Sequence, residues 1–211
     1  MGIVASGQYV QTMITAQLIG RVMSGLEEAA DRTASGTAAA ACTRWFGDAS
    51  DNFRKDLAKR IRKMRSNINV RVINVSMQGL VARSKYENAA AWADSSSHLR
   101  FEDALSHVGT NAGVKSEVYV NEAYGTLPTY LVTQGDGTVD TSFWNQSKYE
   151  TLIHELAHLL LGARDEKLSK KTVAYGAQNA HDLARKDPTK AKTNAENFGI
   201  YIEAVGLNKS Q

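Results

Sequence analysis

Five residues on one stretch of chain carry the strongest chemical signal: His154-Glu155-Leu156-Ala157-His158. On a helix, residues at i and i+4 share a face, so two imidazoles at this spacing can grip a single zinc ion. Glu155 follows the first imidazole and can reach a water in the open coordination position. Zinc lowers the pKa of that water toward neutrality, and a carboxylate placed there can take its proton. The chemistry implied is hydrolysis. The chain has only 5 histidines, and two of them fall in this pattern. His98, His107 and His181 show no spacing that argues for metal.

Zinc needs a third protein donor, and spacing restricts where it comes from. A metzincin would continue as HExxHxxGxxH, but Gly162 follows His158 by four residues rather than three, and no histidine appears until His181. A glutamate from a later helix, as in thermolysin-like enzymes, points to Glu196 or Glu203; the segment Gly162-Ala163-Arg164-Asp165 offers an aspartate instead.

The elements that must position these groups are mostly helical. Ser147-Lys148-Tyr149-Glu150 reads as a capping box, so the motif helix starts there and ends at Gly162. An apolar stripe of Val10, Ile14, Leu18, Val22 and Leu26 predicts a helix over Gly7–Asp31. A basic amphipathic helix is expected over Ser50–Arg65, read as a solvated face, since no aromatic residues interleave with its lysines and arginines. Helices are also expected over Gly176–Lys186 and from Asp187-Pro188 to Val205. Asn69–Ser76, Glu117–Asn121 and Tyr130–Thr133 read as strands, and the Ala/Ser-rich stretch between the first two has no assignable pattern. The class is α+β, mostly helical with a small sheet.

From Cys42 to Val205 the chain resembles the aspzincins, the deuterolysin and peptidyl-Lys metallopeptidase family, whose HExxH is followed by Gly-Thr-x-Asp-x-x-Tyr-Gly. Arg44-Trp45-Phe46-Gly47, the segment Val118–Asn121 (similar to the family's edge strand), Tyr175–Ala184, Asp187-Pro188 and Asn194–Phe198 follow the family's pattern. The resemblance implies a zincin-like fold over residues 42–211; the helix and linker expected at 1–41 lie largely outside it. It implies one zinc ion held by His154, His158 and Asp165, with Glu155 as general base and Tyr175 donating to the oxyanion. The reaction implied is endopeptidase cleavage of a protein or peptide. Two features depart from the family. Ala163 replaces its threonine, and nine residues, Glu166 to Ala174, stand between Asp165 and Tyr175 where the family has two. Lysine-specific members carry an acidic pair in the pocket for the residue after the cut. Glu196 falls on its first position and Gly199 on its second, which predicts at most a mild preference for a basic side chain; a supporting or structural role for Glu196 is the equal alternative. Two readings compete with the peptidase: a catalytically silent binding domain of the same fold, and a zinc hydrolase acting on a non-protein amide such as a cell-wall crosslink.

Composition bounds the setting. The 211 residues are 43% hydrophobic and 22% charged, which excludes global disorder. A net charge of +3 on 25 basic and 22 acidic residues gives no reason to expect nucleic acid. No apolar run approaches the ~18 residues of a membrane span, and a monomer is expected. The stretch Met1–Ser6 lacks the features of a Sec signal but fits N-myristoylation at Gly2, the one route by which a membrane would enter. Secreted fungal relatives use disulfides, whereas Cys42 is alone. The expectation is a bacterial effector or toxin, cytoplasmic before export by a dedicated secretion system and acting in a target cell.

Overall fold

The computed structural model describes residues 2–6, 9–70, 72–77, 90–95, 101, 116–134, 136–142 and 144–207. His98 and His107 lie outside them. Eight helices and six strands follow in chain order among the described residues: β1 (Gly2–Ser6), α1 (Tyr9–Ser35), α2 (Ala39–Phe46), α3 (Asp51–Val70), β2 (Val72–Met77), β3 (Ala91–Ser95), β4 (Ser116–Val120), α4 (Glu122–Thr126), β5 (Val132–Thr133), β6 (Val139–Asp140), α5 (Lys148–Leu161), α6 (Ala177–Lys186), α7 (Pro188–Ala191) and α8 (Ala195–Gly206). Among the described residues no helix is long and apolar enough to cross a membrane.

The sheet is mixed, in the order β1-β2-β4-β3. β1 and β4 flank β2 in parallel, and β3 runs antiparallel on the outer side of β4, with Trp92 facing and stacking on Tyr119. Three expectations change here. Residues 2–6, for which the sequence pattern predicts no strand, pair as one with Gly2 opposite Val72. The unassigned stretch contains β3. The segment likened to an edge strand is interior, because β3 covers it and is itself the edge. Short strands owe their stability to partners across the ladder, which the sequence does not display.

α5 lies against the sheet and α8 and is buried on nearly every side, including Leu152, Ile153, Leu156, Leu159, Leu160 and Leu161. α1 belongs to the same core through Leu18, Val22, Leu26, Ala29 and Ala30. It crosses α8 where Gly25 meets Gly206 backbone to backbone, with no room for a side chain on Gly206. Buried polar groups tie the crossing together. The Tyr201 hydroxyl bridges Thr33 Oγ1 at 2.6 Å and Cys42 Sγ at 3.1 Å, and Arg32 donates to the Val205 carbonyl. The basic face of α3 is largely paired: Arg62 meets Asp31, Arg65 meets Glu27, and Arg60 meets Asp56 while lying over Phe101.

The helix expected from Asp187 to Val205 is two. The chain breaks at 192–194, where Thr193 and Asn194 are residue types that favour caps over helix interiors. That break proves to matter for the site.

Candidate metal centre

The motif sits in the last turns of α5, and the helix ends position everything around it. At the start, Ser147 Oγ accepts from the Glu150 N–H at 3.0 Å. Only half of the predicted capping box forms, because the Glu150 side chain turns inward. Ser147 Oγ instead donates to the buried Glu203, whose other oxygen accepts from the Leu131 N–H. Glu203 thus anchors the N-terminus of α5, the opposite end of the helix from His158. At the other end Gly162 takes φ 65°, a left-handed turn that glycine adopts without steric cost. The turn reverses the chain at once. It brings the Ala163 carbonyl to His158 Nδ1 at 2.7 Å and Asp165 back over the helix.

Three atoms converge there. His158 Nε2 lies 3.0 Å from His154 Nε2 and 3.1 Å from Asp165 Oδ1, and His154 Nε2 lies 3.2 Å from the same oxygen. The opposite ring nitrogens settle their protonation. The Ala163 carbonyl can only accept, so His158 Nδ1 carries the hydrogen, and His154 Nδ1 donates to Glu196 Oε2 at 2.8 Å. With both rings neutral, each aims a lone pair at a carboxylate oxygen and at the other ring's lone pair. This is repulsive unless a cation stands between them. Tetrahedral zinc with bonds of about 2.0 Å spaces its ligands roughly 3.3 Å apart, close to the triangle found. The residues fit one zinc ion, and the backbone carbonyl and glutamate behind the rings are the partners that orient zinc-binding histidines.

The electrostatics follow from the same geometry. Burial would lower the His154 pKa, but its hydrogen bonds to Asp165 and Glu196 outweigh that and hold it well above the usual histidine value. Without metal, a proton fills the role of the cation. Burial likewise opposes ionisation of Asp165, yet the two imidazoles keep it well below the ordinary carboxylate range. Glu155 is buried, 4.0 Å from His154 Nε2, and burial raises its pKa.

Tyr175 reaches the site despite the intervening residues. The chain leaves after Asp165, forms a closed hairpin, and returns where it left, since the Ala174 N–H donates to the Glu166 carbonyl at 2.9 Å and Lys167 bridges Val173. The Tyr175 ring stands 5.9 Å from that of His154, and it is 46% exposed. Burial of the hydroxyl and the neighbouring Asp165 charge raise its pKa.

Glu196, read either as a substrate-pocket acid or as a supporting group, is fully buried. Its oxygens accept from His154 Nδ1, the Gly176 N–H and Gln146 Nε2. His181 packs edge-on against Trp45 and is remote in role from the donors.

The aspzincin family profile, described as lysine-specific metallo-endopeptidase, matches residues 105–203, which span both histidines, Asp165, Tyr175 and Glu196. The match covers a little under half of the chain. It marks these residues as similar to metallo-endopeptidases. A structure described as a zinc peptidase from Grifola frondosa is similar at 19% identity, covering 90% of this chain and 95% of that one, with a TM-score of 0.47. No curated protein matches.

Two further groups escape a reading by motif. Asn194, in the break between α7 and α8, accepts from the Glu166 N–H at 2.9 Å while Arg164 pairs with it along the backbone. Its amide donates to Asn197 Oδ1, and Asn197 in turn donates to the carbonyls of Trp45 and Ala180. This buried chain of amides clamps the loop that presents Asp165. Asn194→Ala is expected to weaken zinc binding about tenfold, the usual cost of losing a ligand's support; competition with a zinc-responsive dye would measure it, and unchanged affinity would contradict the clamp. The signal in the sequence was a cap-forming residue inside an apparent helix.

Glu150 is the second. It has no exposed surface, and its Oε1 lacks a hydrogen-bond partner. The oxygen fits against the α8 backbone only because Gly199 has no side chain: a Cβ there would meet Oε1 at 2.6 Å. Burial, then the charge of Glu196, holds its pKa well above the usual value. The folded protein therefore binds this proton more tightly than the unfolded chain. Its contribution to stability is present at low pH and is lost as pH rises above ~4.3 toward the raised value. Glu150→Gln, which cannot ionise, is expected to melt higher than the parent at pH 8 by about 3 °C, with the gap closing near pH 4. Parallel melting curves across pH would refute this.

Proposed function

We propose that this chain is an aspzincin that cleaves internal peptide bonds using one zinc ion held by His154, His158 and Asp165. The observation that carries the reading is the convergence of three donor atoms within 3.0–3.2 Å of one another, with both imidazoles held from behind. When bound, zinc supplies Lewis acidity, polarising a carbonyl and acidifying a water at its open position.

The remaining work belongs to side chains. Glu155, buried and, among the described residues, in no ion pair other than the 4.0 Å approach to His154, accepts the proton of the attacking water and returns it to the leaving amine. Its raised pKa brings it closer to the pH at which a base works best. The Tyr175 hydroxyl, kept protonated, donates to the oxyanion as the carbonyl becomes tetrahedral. Glu196 and the Ala163 carbonyl keep both ring nitrogens turned toward the metal.

The experiment is sequencing of new termini after incubating a proteome with the zinc-loaded protein. Cuts within chains support the reading. Cleavage restricted to non-protein amides would point to a different hydrolase. The proposal includes a setting: an effector delivered by a dedicated bacterial secretion system into a target cell. The support is Cys42, alone and buried, which leaves the fold independent of oxidative pairing. A translocation reporter fused to the chain tests it; no transfer to target cells would contradict it.

A further inference from the structure

The hairpin of residues 166–174 is placed where it can read substrate. Its two ends are Asp165, a zinc donor, and Tyr175, the oxyanion donor. It is a built element rather than a slack insertion. Besides the bond closing its base, the Leu168 N–H donates to the Thr172 carbonyl at 2.9 Å, and Lys171 N donates to Ser169 Oγ at the tip. Leu168 seats it by packing on Ala174, Leu183, Ala184 and Ala191.

Neighbouring residues on a strand face opposite sides. With Leu168 turned into the protein, Lys167 faces out, and Lys170 and Lys171 occupy the exposed turn. The two carboxylates of the segment do not offset these charges. Asp165 is committed to the histidines, and Glu166 accepts from Thr193 Oγ1 at 2.9 Å. Among the described residues no carboxylate lies within ion-pair distance of Lys167, Lys170 or Lys171. Lys167 is two residues from the zinc donor, so their Cα atoms are at most about 7 Å apart. By contrast, Glu196, the acid that a basic substrate side chain would need, is already saturated with donors.

We propose that this hairpin is a substrate-selecting arm: its three unpaired lysines favour polypeptides carrying aspartate or glutamate beside the cut bond and disfavour basic ones. The inference rests on the endopeptidase reading of the site, and a binding measurement separates the two. The full-length Glu155→Gln protein, loaded with zinc, is titrated into labelled peptides that share a central sequence and differ only in acidic, neutral or lysine flanks. Acidic flanks are expected to bind roughly tenfold tighter than basic ones at low salt. The difference should shrink as salt rises and reverse in Lys167→Glu/Lys170→Glu/Lys171→Glu. Because these side chains are exposed, the triple variant should keep its melting temperature and zinc content. Equal affinities for all flanks, binding of none, or a preference that survives charge reversal would overturn the proposal. Cleavage of the neutral peptide by the parent protein reports separately on the endopeptidase reading. Cleavage without charge preference defeats only the arm, and charge-selective binding without cleavage defeats only the enzyme.

Discussion

Glu155→Gln is expected to retain zinc and to lose cleavage, with kcat falling by about 10³ or more. The side chain keeps its size and its buried place beside His154, but an amide cannot accept a proton. General-base contributions of 10²–10⁴ are usual, and here the same group also serves as the acid for the leaving amine. Zinc should stay because the donor triangle is closed by His154, His158 and Asp165 without it. The variant should also be no less stable, since burial disfavours the charge that the substitution removes. Metal content and peptide turnover measured on one preparation decide the matter. Full activity would sink the general-base role, whereas loss of zinc would make Glu155 a ligand.

Asp165→Ala has the second large effect, a loss of zinc affinity of at least about 100-fold. It removes one of three donors and the only negative charge among them. It also leaves two imidazole nitrogens 3.0 Å apart without the carboxylate oxygen that lies against both. Two comparisons make the result specific. Glu196→Ala should cost less, about 10- to 100-fold, because it frees the His154 ring without deleting a donor. Glu203→Ala should leave zinc affinity alone and lower the melting temperature, since that carboxylate holds Ser147 and the Leu131 N–H at the far end of α5. If either glutamate variant loses more zinc than Asp165→Ala, the third donor is a glutamate.

These contrasts show which parts of the site were legible beforehand. The HExxH helix is a local object: an i, i+4 pair, a cap at Ser147 and a left-handed glycine at 162 are all written within one short stretch. Asp165 and Tyr175 came through resemblance to a family, and the residues between them obscured the connection. What keeps Tyr175 in place is a backbone hydrogen bond from Ala174 to Glu166, which has no side-chain signature. Glu150 was misleading in the opposite sense. Its position three residues after Ser147 satisfies the local rule for a capping box, but the space left by Gly199, in a helix far along the chain, draws the carboxyl into the interior. Glu196 and Asn194 were visible as residue types, and their work depends on which elements pack together. The strands β1 and β3 depend likewise on partners distant in sequence, Val72–Ser76 for one and Ser116–Val120 for the other.

The most direct measurement is a zinc titration of the chelator-stripped protein, read out as cleavage of an internal peptide bond. The expected result is no turnover without metal, then activity that rises linearly and saturates at one zinc per chain. Absence of cleavage at every zinc level, or saturation at any other stoichiometry, would contradict the account.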